Sequence, residues 1–153
     1  MKIFWVFAHL LGFVLWIGAG AAGMAMSIAA RREPRENLGV VARQLAAVYR
    51  VVMLPGVLLT LASGLILTLM VYGSADAALR VSHWLMAMQG IGLVAGVMVL
   101  AFLIPVASRA ALVDPTGPQG AAFDALRARA RMLGMVSGTL ALLALVTGAA
   151  MQP

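Results

Sequence analysis

The chain has 153 residues, of which 63% are hydrophobic and only 10% are charged. Soluble domains carry about 25% charged residues, so this composition excludes a water-soluble domain and predicts an integral membrane protein. The net charge of +6 does not predict a nucleic-acid partner, because basic loops in membrane proteins report orientation and contact with anionic lipid. Cysteine is absent, which excludes disulfides, thiolate metal sites and cysteine nucleophiles.

Four long uncharged runs separate the charged segments of the chain. Each run is long enough to cross a bilayer core of about 30 Å, and each must be helical because no water is present there to satisfy the backbone. We therefore predict an all-α, four-helix membrane bundle that forms one integral domain over residues 1–153. The predicted spans are 3–28, 51–73, 82–107 and 132–151.

The cations of the chain are unevenly distributed. Nine of the eleven lie in two segments, residues 31–50 and 109–131, and the other two are Lys2 and Arg80. Positively charged loops stay in the cytoplasm, so both long loops are predicted to be cytoplasmic and both termini outside. The preference for arginine over lysine, with abundant alanine and glycine, favours a bacterial source and hence the bacterial inner membrane.

Glycine spacing and an internal repeat predict how the helices pack. Aligning His9 with His83 also aligns Gly18 with Gly92, which predicts two parallel helix hairpins related by an axis along the membrane normal. The pair Gly134-xxx-Gly138 is interpreted as a surface for close helix packing. The helical spacing after Pro34 predicts that the second helix begins before its membrane span.

The only two histidines, His9 and His83, are expected at similar depth near the same membrane face. A titratable group inside a span is a functional-site hypothesis, and imidazole is a common axial ligand of haem iron. We predict that the two rings face each other as ligands of a b-type haem. Three pairs of residues are expected to complete this site. Gly12 and Gly90 would leave room for the haem, and Trp16 and Met86 lie on the same helix faces as the histidines. Lys2 and Arg80 would balance the charge of the haem propionates.

Plainer interpretations of the polar groups stay open. His9 is alternatively an interhelical hydrogen-bonding residue, and His83 an interfacial residue beside Trp84. Gln89 could reach a quinone carbonyl, but an interhelical hydrogen bond is favoured. The eleven methionines are scattered, which favours core filling over a copper site.

The first two predicted spans carry a spaced pattern of aromatic and polar residues. It reads Trp5-x3-His9-x6-Trp16-x-Gly18, followed beyond the basic loop by Tyr49-Arg50-x4-Pro55-x4-Thr60-x3-Gly64. The pattern resembles a superfamily of small four-helix bacterial membrane proteins. This superfamily includes protoporphyrinogen oxidase-like proteins, copper-resistance D-like membrane domains and a group of predicted inner-membrane proteins of unknown function, to which the chain is most similar.

The resemblance has implications for the site. In the oxidase-like family the histidine of the first helix is implicated in binding b-type haem, and His9 occupies that position. The other key residue of that family is a lysine in the third helix, just after a histidine. Here His83 matches the histidine, but Leu85 stands in place of the lysine. The resemblance thus implies haem binding without porphyrinogen oxidation, and it leaves open whether the protein is an enzyme.

The leading functional hypothesis is a membrane-integral haem b protein that transfers electrons near the outer face of the membrane. Its expected surroundings are the lipid bilayer, with quinone or another membrane subunit as partner, and its glycine-rich faces also allow a homo-oligomer. Two alternatives belong to other classes. One is a cofactor-free accessory or structural subunit of a larger membrane complex, and the other is transport of copper or a small solute.

Overall fold

The computed structural model describes residues 1–72 and 83–150. Four helical segments within these ranges are long and apolar enough to cross a membrane, which confirms the predicted all-α, four-helix membrane architecture. No strand occurs in either described range. We refer to the four segments as the first to fourth spans: Lys2–Ala29, Arg35–Met70, His83–Ala110 and Gly120–Ala149.

The second and fourth spans begin earlier than the uncharged runs predicted. Their α-helices start at Leu38 and Gly120, because arginines on the outside of a helix do not end it. The fourth span has 30 residues, so its length is about 45 Å against a bilayer core of about 30 Å. The helix therefore exceeds the core by about 15 Å, and its basic end, which carries Arg127 and Arg131, is the end expected to protrude toward the headgroups.

One wide turn interrupts each of the second and third spans. The second consists of a 3-10 turn at Arg35–Asn37, an α-helix at Leu38–Val48, a π-helical turn at Tyr49–Met53 and an α-helix at Leu54–Tyr72. The third consists of an α-helix at His83–Met98, a π-helical turn at Val99–Leu103 and an α-helix at Ile104–Ala110. Each π turn ends two residues before a proline, Pro55 or Pro105. Proline lacks an N–H and collides with the carbonyl four residues earlier, and the wider turn accommodates both effects.

The four spans form two antiparallel hairpins. The first span packs mainly against the second, and the third mainly against the fourth. Arg35 joins the two hairpin connections, because its Nε donates to Pro115 O at 2.6 Å and its guanidinium pairs with Asp124 at 3.0 Å. Both connections thus lie at one end of the bundle, which we call the loop end, and His9 lies toward the opposite or far end.

The hairpin pairing agrees with the predicted repeat, but the wide turns do not follow it. The repeat aligns the first span with the third and the second with the fourth. The π turns occur in the second and third spans, and Gly120–Ala149 is α-helical throughout. The two halves therefore share an arrangement of helices and differ in local geometry.

The first and second spans cross with their backbones in contact at Gly12 and Gly56. A Cβ on Gly12 would lie 2.7 Å from Thr60 N and 2.8 Å from Gly56 O, and a Cβ on Gly56 would lie 2.8 Å from Trp16 N. Facing small residues let membrane helices approach this closely. The crossing fixes His9, which lies about one turn further toward the far end, beside the second span.

Candidate functional site

His9 is held against the second span through its Nδ1 atom. This atom lies 3.0 Å from Thr60 O and 3.2 Å from Ser63 Oγ, and both partner residues are buried. The Ser63 hydroxyl in turn donates to Leu59 O. The ring edge lies over Gly64, where a Cβ would be 3.1 Å from His9 Cε1. One turn of the second span therefore supplies both the hydrogen bonds and the space that position the imidazole.

These contacts determine which ring nitrogen carries a proton. A carbonyl oxygen only accepts, so Nδ1 is the donor to Thr60. In the neutral ring this leaves a lone pair on Nε2, which makes no hydrogen bond to any residue in the described ranges. Metal-ligating histidines share this arrangement, with one nitrogen donating to a carbonyl and the other free to bind the metal.

Two residues expected beside His9 have different surroundings from those the sequence predicted. The room expected next to Gly12 is filled by Thr60 and the backbone of the second span, so Gly12 closes the helix crossing instead of leaving space for a ligand. Trp16 is 3% exposed and packs in the core toward the loop end, away from His9. Of the two expected cations, Lys2 is exposed at the start of the first span, and Arg80 lies outside the described residues.

The predicted site residues of the third span lie on its exposed surface. His83 is the first residue of its helix, and it is exposed together with Met86 and Gly90. A Cβ on Gly90 would meet nothing within 4 Å, because this residue lies on the exposed surface of the span. No hydrogen bond joins His9 to His83, and their spans are not each other's main packing partners. The facing pair of histidines stays a prediction.

Gln89 links the third span to the second. Its Nε2 donates to Thr68 Oγ1 at 2.5 Å, and the Thr68 hydroxyl donates to Gly64 O at 2.9 Å. The favoured interpretation of Gln89 as an interhelical hydrogen-bonding residue is confirmed. This series of hydrogen bonds ends at Gly64, which lies against the His9 ring.

A cavity of about 470 Å³ opens between the first, second and fourth spans in the loop-end half of the bundle. Its volume lies in the range of about 300–1,000 Å³ that is usual for small-molecule sites. We call it the Tyr49 groove. It extends from Trp16 to Arg31 along the first span and from Leu142 to Arg127 along the fourth, so it is about 22 Å long.

The groove has an apolar floor and a cationic rim. Trp16, Met53 and Ala141 line its deep end, whereas three arginines, Arg31, Arg127 and Arg131, line the end nearest the loops. No aspartate or glutamate is among its lining residues. In the described ranges these arginines form no ion pair, since the ion pair there is that of Arg35 with Asp124.

Tyr49 lies between these two ends, at the start of the π turn of the second span. Its ring packs over Gly23, and its hydroxyl lies between Gly23 of the first span and Gly134 of the fourth. The residue is only 5% exposed, and its hydroxyl makes no hydrogen bond to the rest of the described chain. Every fully buried side-chain polar atom in these ranges has a partner, so this hydroxyl remains accessible from the groove.

This groove does not follow from the sequence pattern. The pair Gly134-xxx-Gly138 predicts a close packing surface, but a Cβ on Gly138 would meet nothing within 4 Å. The available signal was the spacing of Arg127, Arg131, Gly134 and Gly138, which places two cations and two small residues along one helix face. That face borders the groove.

Comparisons of the chain with protein-family models, with curated proteins and with solved structures find no match. Within residues 1–72 and 83–150, no three histidine, aspartate or glutamate side chains come together as a metal site. A haem, in contrast, needs only one or two axial side chains. The functional interpretation therefore depends on the local geometry of His9 and of the Tyr49 groove.

Proposed function

We propose that the protein is a membrane-integral haem protein in which His9 is an axial ligand of a b-type haem and electrons pass at the far end of the bundle. The observation that carries this proposal is the hydrogen bond from His9 Nδ1 to Thr60 O at 3.0 Å, which leaves Nε2 unbonded within the described chain. An isolated histidine that only filled space would not need a ring orientation matched to metal binding.

The residues present fit haem in part. His9 offers a nitrogen ligand, and Thr60 and Ser63 orient its ring. Gly90 lies on an open surface of the third span, which packs mainly against the fourth span. The exposed His83 is the candidate second ligand. Bound haem supplies a one-electron redox couple, and the chain contributes ligation, orientation and an apolar environment that affects the reduction potential.

The proposed setting is the bacterial inner membrane, with both long loops in the cytoplasm. Nine of eleven cations lie in segments 31–50 and 109–131, which supports this orientation through the positive-inside rule. The far end then lies toward the outer face, and quinone or another membrane subunit is the proposed electron partner.

A cofactor-free accessory subunit is the second candidate, and it is supported by the packing around the same histidine. The contacts of His9 with Thr60 and Ser63, together with the crossing of Gly12 and Gly56, also serve to fix the first span on the second. In that case His9 contributes an interhelical hydrogen bond of about 0.6–2 kcal/mol and binds no cofactor.

Absorption spectra of the purified protein, expressed with added haem and recorded with and without dithionite, separate these candidates. We expect a Soret band in the wild type and its loss in His9→Ala, with undiminished membrane insertion because alanine makes the span more apolar. Thr139→Ala is the control, since it removes an exposed hydroxyl of the fourth span that bonds only to its own helix. A colourless wild type, with His9→Ala affecting only thermal stability, would overturn the haem proposal and favour the accessory-subunit function.

A further inference from the structure

The Tyr49 groove matches the depth of one membrane leaflet. Its length of about 22 Å is half of the roughly 40–45 Å that a bilayer measures with its headgroups. The arginine rim belongs to turns of the first and fourth spans that reach the headgroup level, and the floor at Trp16 lies toward the middle of the bundle. A molecule that fills the groove from rim to floor would thus be aligned like a lipid.

The charge on the rim selects the headgroup. Arg31 and Arg131 are exposed, Arg127 is half-buried, and none of them has an ion-pair partner within the described residues. Arginine binds phosphate through paired N–H donors. With no carboxylate among the lining residues, the rim attracts an anionic group and offers nothing to a cationic one.

Tyr49 supplies a second and independent polar contact. Its hydroxyl is unpaired within the described chain, and it lies beside Gly134, about one turn below Arg131, in a residue that lines the groove. In a glycerophospholipid the ester carbonyls lie just below the phosphate, between headgroup and acyl chain. A tyrosine O–H donor at this depth has an ester oxygen as its natural acceptor.

We propose that the Tyr49 groove binds an anionic glycerophospholipid from the leaflet at the loop end. The phosphate contacts Arg127, Arg131 and Arg31, the Tyr49 hydroxyl donates to an ester carbonyl, and an acyl chain extends to Trp16. This site is separate from the proposed haem site at His9 and does not depend on it.

Trp16 provides a direct probe of the occupant. The full-length chain with Trp5→Phe and Trp84→Phe keeps Trp16 as its only tryptophan, and Trp16 is 3% exposed and so shielded from lipid outside the groove. The protein is reconstituted in phosphatidylcholine vesicles that contain phosphatidylglycerol with a brominated acyl chain. We expect the fluorescence of Trp16 to be lower in these vesicles than in unbrominated ones, because the bromine quenches it. Any bound haem quenches Trp16 equally in both kinds of vesicle, so its effect cancels in the comparison.

Blocking the groove tests whether the chain enters it. Gly138→Leu places a side chain in the open space of the groove without a backbone clash, and it should abolish the quenching. The matched control is Gly18→Leu, because a Cβ on Gly18 also meets nothing within 4 Å and Gly18 does not line the groove. Absent quenching in the wild type, or equal quenching in Gly138→Leu, would refute the proposal.

Headgroup recognition is tested by competition with unbrominated lipid. In the wild type, unbrominated phosphatidylglycerol should restore Trp16 emission, whereas phosphatidylcholine should do so poorly. In the double variant Arg127→Gln/Arg131→Gln, competition by phosphatidylglycerol should be about thirty-fold weaker. Arg129→Gln removes one positive charge from the same helix outside the groove and should have no such effect. Equal competition by both lipids would show an unselective apolar groove and overturn the assignment. The charge variants leave the core intact, so this result stands even if Gly138→Leu fails to fold.

Discussion

Gly12→Ala should damage both the helix crossing and the His9 site. The added Cβ would lie 2.7 Å from Thr60 N, whereas ordinary contacts of a Cβ begin at 3.4 Å, so the first and second spans must separate by about 0.7 Å. Two of the three closest atoms, Thr60 N and Gly56 O, are backbone and cannot rotate aside. The same separation would lengthen the His9 Nδ1 to Thr60 O distance from 3.0 Å to about 3.7 Å, beyond a hydrogen bond.

The expected loss of stability follows from overpacking. Forcing a methyl group into a filled space costs about 1–3 kcal/mol, whereas a glycine-to-alanine change at an open helix position gains up to about 1 kcal/mol. Gly18→Ala is such an open position on the same span, because a Cβ there meets nothing within 4 Å. Both changes replace a helical glycine by alanine and share the same gain in helix propensity, so we expect the two variants to differ by the overpacking cost alone, about 1–3 kcal/mol in unfolding free energy.

Unfolding in mixed detergent micelles with increasing dodecyl sulfate, followed by circular dichroism, measures this difference. The absorption spectrum of the same samples, prepared with haem, reports whether His9 has lost its orientation. If Gly12→Ala proves as stable as Gly18→Ala and keeps an unchanged spectrum, the backbone contact between Gly12 and Gly56 is not a feature of the folded protein.

Three further predictions concern other polar groups. Gln89→Leu should lower the unfolding free energy by about 0.6 kcal/mol, and a double-mutant cycle with Thr68→Val should recover that coupling, since additive effects would exclude the bond. Hydrogen bonds from the backbone and then the side chain of Thr116 lower the pKa of Asp114, so the associated stability is present above the ordinary pKa and lost as pH falls through the lowered one. Thr116→Val removes only the side-chain donor, so it should raise the pKa of Asp114 in part in an NMR titration, and an unchanged value would exclude a side-chain contribution. His83→Ala should shift bound haem toward a high-spin spectrum with an open axial position, whereas an unchanged spectrum would exclude His83 as a ligand.

The membrane architecture was predictable because hydrophobicity and the backbone requirement act locally along the chain. A run without charges must be a helix in the bilayer, and the four spans are present as predicted. The uncharged runs delimit the predicted spans and not the helix starts, and the spacing after Pro34 predicts the early start that the second helix has at Leu38. In a helix that protrudes from the hydrocarbon, side chains such as Arg43 and Arg131 are exposed, and they do not terminate the helix. The positions of Pro55 and Pro105 were visible, but their π turns depend on how each helix resolves the proline clash.

The candidate site was only partly predictable because it depends on which helices are neighbours. The depth of His9 made it a candidate functional residue, yet nothing in the spacing indicated that its partners would be Thr60 and Ser63 of the second span. The glycines show the same limit. Gly12 and Gly138 are alike in sequence terms, but one is closed by the adjacent backbone and the other faces open space.

The contact of Gly12 with Gly56 lies between the two proposed sites, on the helix that contributes a residue to each of them. His9 lies one turn to the far side of this crossing, and Trp16, the floor of the Tyr49 groove, lies one turn to the loop side. Backbone contacts are stiff, so a change within one site should remain local: Gly138→Leu should leave the spectrum of His9-bound haem unaltered, and His9→Ala should leave the quenching of Trp16 unaltered. A change in the crossing itself moves the helix that carries both residues. Gly12→Ala should therefore alter both signals in one protein, and a change confined to either signal would show that the crossing does not position the two sites together.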